Sequence, residues 1–302
     1  MVVFRWDIDK TYLDTEFETI SGLIRTATEK ASEKKAIEGA RNLLRALQQY
    51  PESSTVFISG SPKQMKKVLL KKFALDGIEV DDIVLKDSLE AIRSGHLRDL
   101  TQQVGYKLPG LVESRLKYSL DSDEYLFGDN VEEDALVYLC YALIVSQAIS
   151  IDDICMIMAR FGAYERSQQR LIQAIQQLNH YGRVRRIFIR LADHQLSAKL
   201  TVFAPLVVAV HDWLQAAMVL WEDGILSDNE FQKQCADRNF STEQIANLAQ
   251  DLQRRGCLSE KYSRQLYHHF GVQREIFSIP TNGTQPLDGQ RFLLEVERLW
   301  SH

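Results

Sequence analysis

The chain of 302 residues lacks the features that mark disulfide-rich, zinc-finger and membrane-spanning proteins. Its four cysteines are far apart and form no CxxC pair, so the sequence indicates neither a zinc site nor a disulfide framework. We therefore expect reduced cysteines and a cytoplasmic protein. The most apolar later run, residues 200–210, is too short to cross a bilayer and contains Pro205. The apolar start is too short for a signal peptide.

Positive charge is also scarce. The chain has 36 lysines and arginines against 41 acidic residues, a net charge of −5, and this argues against a nucleic-acid partner. One lysine-rich stretch, residues 63–72, departs from this balance, although such stretches are usually solvated helix faces. A hydrophobic content of 45% and a charged content of 25% are typical of a globular protein.

Short strand-like runs alternate with helical patterns in the first half of the chain. The runs that predict strands are 2–6, 54–58, 83–85 and 125–127. The patterns that predict helices are 29–50, 62–73 with Ser61 as N-cap, and 108–120. This alternation predicts an α/β fold with a parallel sheet between helices. Residues 184–191 alternate basic and apolar side chains, which predicts an edge strand that rejoins the sheet.

From Asp134 onward the pattern becomes mainly helical. Helices are predicted over 135–147, from the N-cap Ser150, and over 167–180. Beyond residue 200 the chain is almost all helical, and we find no convincing internal repeat. We therefore predict a core domain over 1–198, with a helical insertion at about 140–180. An α-helical domain over 199–302 would follow, and it offers a surface for a protein partner.

Polar residues follow three of the predicted strands. Asp7 and Asp9 follow the first, Ser59 and Gly60 follow the second, and GDN (128–130) follows the fourth. Ligands of parallel α/β sheets bind outside the carboxyl ends of the strands. The three clusters are therefore expected to meet in one site.

Phosphoryl transfer needs the residue types that these clusters contain. In a DxD turn, Asp7 can attack phosphorus as a nucleophile while Asp9 protonates the leaving oxygen and then activates water. Asp129 and Asp134 offer the hard oxygen ligands that Mg²⁺ prefers. The Ser59 hydroxyl and the Gly60 amide, just before a predicted helix, suit a phosphate. A lone DxD is most often a turn, so the full set carries the argument.

The same residues resemble a known superfamily. DIDKT (7–11), ISGS (58–61), a later lysine and GDNVEED (128–134) are similar to the four motifs of the haloacid dehalogenase superfamily. Within it, FISGSP (57–62), GHLRD (95–99) and RIFIRLAD (186–193) resemble motifs of the actin-patch-associated phosphatidate phosphatase family. The resemblance covers most of residues 1–194, although the helical stretch at about 140–180 is longer than in that family. It implies an Mg²⁺-dependent phosphatase that forms an aspartyl-phosphate.

The resemblance also implies roles for single residues. Those expected to hold the substrate phosphate are Thr11, Ser59, Gly60, Lys107 and Arg98. Those expected to bind Mg²⁺ are Asp7, Asp9 through its carbonyl, Asp129 and Asp134. The site lysine of the superfamily lies at the start of the helix before the acidic strand, which favours Lys107 over Lys117. Lys10 and Ala135 depart from the family pattern, which has an aspartate and a proline there.

The substrate stays open at this point. Phosphatidate is the substrate that the family resemblance suggests, and it would require contact with a membrane surface. A soluble metabolite or a phosphoprotein is an alternative, since no amphipathic basic helix or lipid anchor is evident. A third reading is a non-catalytic scaffold whose C-terminal helices bind a protein.

Overall fold

The computed structural model describes residues 1–15, 31–86, 103–118, 121–131, 133–178, 182–191, 197–276 and 287–300. Arg98 and the GHLRD segment lie outside these residues. The predicted phosphate contact of Arg98 therefore stays a prediction.

Six parallel strands form one sheet. They are β1 (Val2–Asp7), β2 (Ser53–Pro62), β3 (Asp82–Lys86), β4 (Asp123–Asp129), β5 (Arg183–Arg190) and β6 (Val207–Val210). Their order across the sheet is β3-β2-β1-β4-β5-β6. Every neighbouring pair is parallel, so all the carboxyl ends lie at the same edge. The predicted α/β fold with a parallel sheet is confirmed.

Helices cover both faces of this sheet. They are α1 (Ala40–Leu47), α2 (Lys66–Leu75), α3 (Val104–Arg115), α4 (Asp134–Val145), α5 (Ile151–Arg160), α6 (Glu165–Gln177), α7 (Ser197–Leu200), α8 (Trp213–Glu222), α9 (Asp228–Ala236), α10 (Thr242–Arg254), α11 (Glu260–His269) and α12 (Gly289–Leu299). Both faces are apolar, as expected of a buried parallel sheet. None of the described helices is long and apolar enough to span a membrane.

The two faces of β1 have different surroundings because side chains alternate along a strand. Phe4 and Trp6 face the cluster of α1, α2 and α8 to α11. Trp6 stacks on Phe127 at 4.1 Å between ring centroids and lies 5.2 Å from Trp213 of α8. Arg5 and Asp7 face the opposite way, toward α3 and α4.

The strand predicted over 184–191 forms, but it is not the edge of the sheet. Val207–Val210 pairs with it as β6, which interrupts the region expected to be helical. β6 therefore belongs to the same sheet as the strands of residues 1–198, and the division of the chain at residue 198 stays a prediction. The run VVAV is all buried, and its valines suit a short buried strand.

The C-terminal helices contain a repeated connection that the sequence reading missed. GILS (224–227) joins α8 to α9, and GCLS (256–259) joins α10 to α11. Each glycine is left-handed, with φ of +74° at Gly224 and +73° at Gly256. Each serine caps the next helix, since Ser227 and Ser259 accept hydrogen bonds from backbone amides. The chain therefore builds two similar helical hairpins.

Two helix starts differ from the prediction. The helix expected over 29–50 spans only Ala40–Leu47 of the described residues, after left-handed Gly39. The helix expected to begin after Ser61 begins at Lys66, because β2 continues to Pro62 and a 3₁₀ turn follows. Ser61 is therefore not a helix cap. The predicted cap Ser150 is confirmed, and Ser241 forms a capping box with Gln244 at the start of α10.

Candidate active site

The residues predicted to act together come from four separate elements. Asp7 ends β1, Lys107 lies in the first turn of α3, Asp129 ends β4 and Asp134 begins α4. All four side chains are buried. The parallel register places β1 and β4 side by side, and the two helices return beside those strand ends.

Lys107 lies between two carboxylates. Its Nζ donates to Asp7 Oδ1 at 2.8 Å and to Asp134 Oδ1 at 2.5 Å. All three side chains have 0% exposure, so these charge-assisted bonds lie out of water. A buried ammonium needs such partners to stay charged. Lys107 therefore holds Asp7 and Asp134 in position.

Asp129 joins the group through its neighbours in GDNVEED. Its Oδ1 accepts from the Val131 amide at 2.6 Å, and its own amide donates to Asp134 Oδ2 at 3.2 Å. Thr11 donates its hydroxyl to Asp129 Oδ2 at 3.4 Å. The predicted phosphate-binding residue Thr11 thus contacts a carboxylate of the site.

Gly128 is required by the close approach of α4. A Cβ at this position would lie 2.6 Å from Asp134 Oδ2 and 2.8 Å from a ring carbon of Tyr138. Tyr138 donates its hydroxyl to the Phe127 carbonyl, and burial raises its pKa well above the ordinary value. It therefore stays neutral beside the acidic group.

Asp9 points to a different set of partners. Its Oδ2 accepts from the hydroxyls of Ser59 at 2.8 Å and Ser61 at 2.9 Å, and its Oδ1 accepts from Thr15 at 3.1 Å. These three hydroxyls orient the carboxylate. Ser61, which sequence reasoning set aside as a cap, is thus a site residue. The S-x-S spacing after a strand was the signal that could have identified it.

Two of the phosphate-binding predictions have a different local setting from the one expected. Gly60 does not precede a helix N-terminus, because α2 begins only at Lys66. The Ser59 hydroxyl can donate one hydrogen bond, and it donates that bond to Asp9. A phosphate contact from that hydroxyl would have to compete with this bond.

The second lysine candidate is remote from the carboxylates. Lys117 is exposed and pairs with Asp82, at the start of β3, at 2.7 Å. Lys107 contacts Asp7 directly. Lys10, which departs from the family pattern, has a left-handed φ of 60° and offers its carbonyl to Arg190 Nη1 at 3.1 Å.

Three carboxylates fit a divalent cation. One oxygen each from Asp7, Asp129 and Asp134 lies within 4.8 Å of the others, and all three residues are buried. Hard oxygen donors of this kind suit Mg²⁺, which retains several waters. The Asp9 carboxylate is not among them, and metal binding through its carbonyl stays a prediction. Asp7 and Asp134 share the Lys107 ammonium and Asp129 adds a third negative charge, so the site favours a cation.

A buried ion network lies at the other end of the same elements. Glu124, at 0% exposure, accepts from Arg5 at 2.8 and 3.0 Å, from Arg115 at 2.5 Å and from the Tyr141 hydroxyl at 2.6 Å. Arg5 also donates to the Ser114 hydroxyl at 3.0 Å. We call Glu124 with Arg5, Arg115 and Tyr141 the Glu124 cluster.

We call Asp7, Lys107, Asp129 and Asp134 the acidic site. The Glu124 cluster and the acidic site are built from the same four elements. β1, α3, β4 and α4 each contribute one residue to the Glu124 cluster and one to the site. Lys107 and Arg115 are two turns apart on α3, and Asp134 and Tyr141 are two turns apart on α4, so each pair shares one helix face. The cluster therefore fixes the two helices against the strands that carry Asp7 and Asp129.

The fold and the site together define a parallel α/β protein with a buried centre of carboxylates and one lysine. Comparison with protein-family models gives a match over residues 6–154, about half of the chain, to the family described as phosphatidate phosphatase APP1, catalytic domain. This part of the chain is a member of that phosphatase family, and the resemblance inferred from the motifs is confirmed. No curated protein and no solved structure matches the chain.

Proposed function

We propose that the protein is an Mg²⁺-dependent phosphomonoester hydrolase that acts on phosphatidate through a phosphoryl-enzyme on Asp7. The observation that carries the proposal is the buried group of Asp7, Lys107, Asp129 and Asp134 at the carboxyl edge of the sheet. The family description, phosphatidate phosphatase, supports the choice of substrate. The phosphate-ester class rests on the same family match.

In the first step, a carboxylate oxygen of Asp7 bonds to phosphorus as the bond from phosphorus to the leaving oxygen breaks. Asp9 enters this step protonated and gives its proton to that oxygen, which departs as an alcohol and leaves Asp9 as a carboxylate. Lys107 keeps the Asp7 carboxylate in place and contributes positive charge beside the transferred group. When bound, Mg²⁺ would supply further positive charge for the phosphoryl oxygens.

In the second step, Asp9 takes a proton from water. The water oxygen bonds to phosphorus, the bond between phosphorus and Asp7 breaks, and inorganic phosphate leaves. One carboxyl group thus serves as acid and then as base. The hydroxyls of Ser59, Ser61 and Thr15 would keep it aimed through both steps.

The decisive test is Asp7→Asn, assayed by phosphate release from dispersed phosphatidate. The amide keeps the shape and an oxygen that accepts from Lys107, but it is a poor nucleophile. We expect activity to fall on the order of 10³-fold or more, while the protein stays folded in thermal unfolding because Lys107 keeps Asp134 as a charged partner. The control is Asp152→Asn, the same chemical change at an exposed position in the first turn of α5. Full activity of Asp7→Asn would refute the mechanism.

A chelator experiment tests the metal separately. Wild-type activity should be lost with EDTA and restored by excess Mg²⁺, and Asp129→Asn should raise the Mg²⁺ concentration needed for half-maximal activity. A panel of phosphatidate, sugar phosphates, nucleotides and phosphopeptides tests the substrate. Hydrolysis of a soluble ester in preference to phosphatidate would replace the substrate while leaving the reaction class intact.

A further inference from the structure

The first turns of α2, with the 3₁₀ turn before them, form a positive surface on an acidic protein. Lys63, Lys66, Lys67 and Lys71 are exposed, whereas Lys72 is buried and pairs with Asp76 at 2.8 Å. No acidic residue occurs between Pro62 and Leu75. The remaining chain is therefore even more negative than its overall charge of −5.

Three of these lysines have no structural role in the described chain. Lys66, Lys67 and Lys71 make no hydrogen bond or ion pair with any described residue. Leu70, 36% exposed, lies among them. At 100° per residue it projects between Lys66 and Lys67 on the helix surface. We call Lys66, Lys67, Leu70 and Lys71 the basic face.

The basic face begins beside the acidic site. Ser61, whose hydroxyl lies 2.9 Å from Asp9 Oδ2, is five residues before Lys66 in the chain. The first turn of α2 is therefore at the carboxyl edge of the sheet, where Asp7 also lies. Lys71 is about 7.5 Å farther along the helix axis, at 1.5 Å per residue.

We propose that the basic face docks on an anionic lipid surface and so brings the acidic site to the phosphate of a lipid headgroup. Lysines near an anionic membrane attract it, and an exposed leucine among them can enter the interface. The claim that the protein binds anionic lipid depends on the basic face alone. The claim that this binding speeds hydrolysis rests on the proposed function. If the basic face were only a hydrated helix surface, the protein would not bind vesicles and substitution of Leu70 would have no effect on vesicle binding.

The test uses flotation of the full chain with three kinds of vesicle: phosphatidylcholine alone, or with one-fifth phosphatidate or one-fifth phosphatidylserine. The basic-face variant carries Lys66→Gln, Lys67→Gln and Lys71→Gln. The control variant carries the same change at the exposed residues Lys35, Lys233 and Lys261.

We expect wild type to float with both anionic vesicles and not with phosphatidylcholine alone. At about fivefold per lysine, the basic-face variant should lose roughly 100-fold in affinity, and the control variant much less. Leu70→Gln should weaken vesicle binding but not binding to heparin, a soluble polyanion. Equal loss in both variants, no vesicle binding by wild type, or no effect of Leu70→Gln on vesicle binding would overturn the proposal.

Kinetics separates this proposal from the proposed function. The basic-face variant should hydrolyse a water-soluble phosphate monoester as wild type does, but vesicle phosphatidate much more slowly. Lysine-dependent vesicle binding without any phosphatase activity would leave docking intact and reject the proposed function. Undiminished hydrolysis of vesicle phosphatidate by the basic-face variant would reject docking and leave the proposed function intact.

Discussion

The substitution Glu124→Gln tests how the buried ion network supports the site. Glutamine keeps the shape of Glu124 but removes the charge that balances Arg5 and Arg115, which are 0% and 3% exposed. The Arg5 guanidinium would lose a bidentate partner and stay out of water. Tyr141 would donate to a neutral oxygen in place of a carboxylate.

The expected cost follows from that burial. Breaking a buried ion pair from one side costs about 3–5 kcal/mol in the free energy of unfolding, because an unbalanced charge remains. Tyr141→Phe keeps the ion pairs, removes the hydrogen bond of the Tyr141 hydroxyl to a charged acceptor and should cost about 1.5–3 kcal/mol. The total free energy of unfolding of a protein is about 5–15 kcal/mol. Glu124→Gln is therefore severely destabilising, whereas Tyr141→Phe should leave the protein folded.

The pH dependence of the free energy of unfolding provides an independent test of the Glu124 cluster. Burial alone would raise the pKa of Glu124, but the charges and hydrogen bonds of Arg5 and Arg115 outweigh it and hold the pKa below the ordinary value of 4.5. A lowered folded-state pKa contributes stability above the unfolded-state pKa. That stability is lost as the pH falls through the folded-state value. Glu124→Gln should therefore flatten the decline of stability below about pH 4.5.

Urea unfolding from pH 3 to pH 7 measures both effects, and phosphate release at pH 7 reports on the site. Tyr141→Phe should stay folded. Because α4 also carries Asp134, we expect this variant to have a lower kcat with little change in KM. Two results would refute the reasoning: a Glu124→Gln cost below that of Tyr141→Phe, or an acid decline as steep as in wild type.

Three further substitutions test the site itself. Gly128→Ala should cost at least about 1–3 kcal/mol in thermal unfolding and abolish Mg²⁺-induced stabilisation, because the new Cβ would displace Asp134. Unchanged stabilisation would contradict this. Lys107→Gln should destabilise the metal-free protein yet raise the Mg²⁺-induced shift in Tm, since the carboxylates lose their ammonium partner; a smaller shift than wild type would count against it. Ser61→Ala should cost about 1.5–3 kcal/mol in urea unfolding through loss of its bond to Asp9, and no change would show that bond to be dispensable.

Much of the site was predictable because its motifs are local and end strands. Asp7 and Asp129 follow short apolar runs, and parallel strands bring such ends together; Asp134 lies five residues after Asp129 in the same motif. Lys107 required the family resemblance, since a single lysine carries no pattern. Ser61 was misassigned because a serine before proline also reads as a helix cap, and only the continuation of β2 removes that reading.

The sequence by itself determined the α/β class, the strands of the first half and the residue types of the acidic site. Those properties depend on alternation along the chain and on short motifs. The tertiary structure alone decided the inner position of β5, the partners of Asp9 and the Glu124 cluster. These depend on residues far apart in the chain: Arg5 and Glu124, for example, are 119 positions apart. No local pattern encodes such a pairing, because the two side chains meet only when β1 and β4 pack side by side.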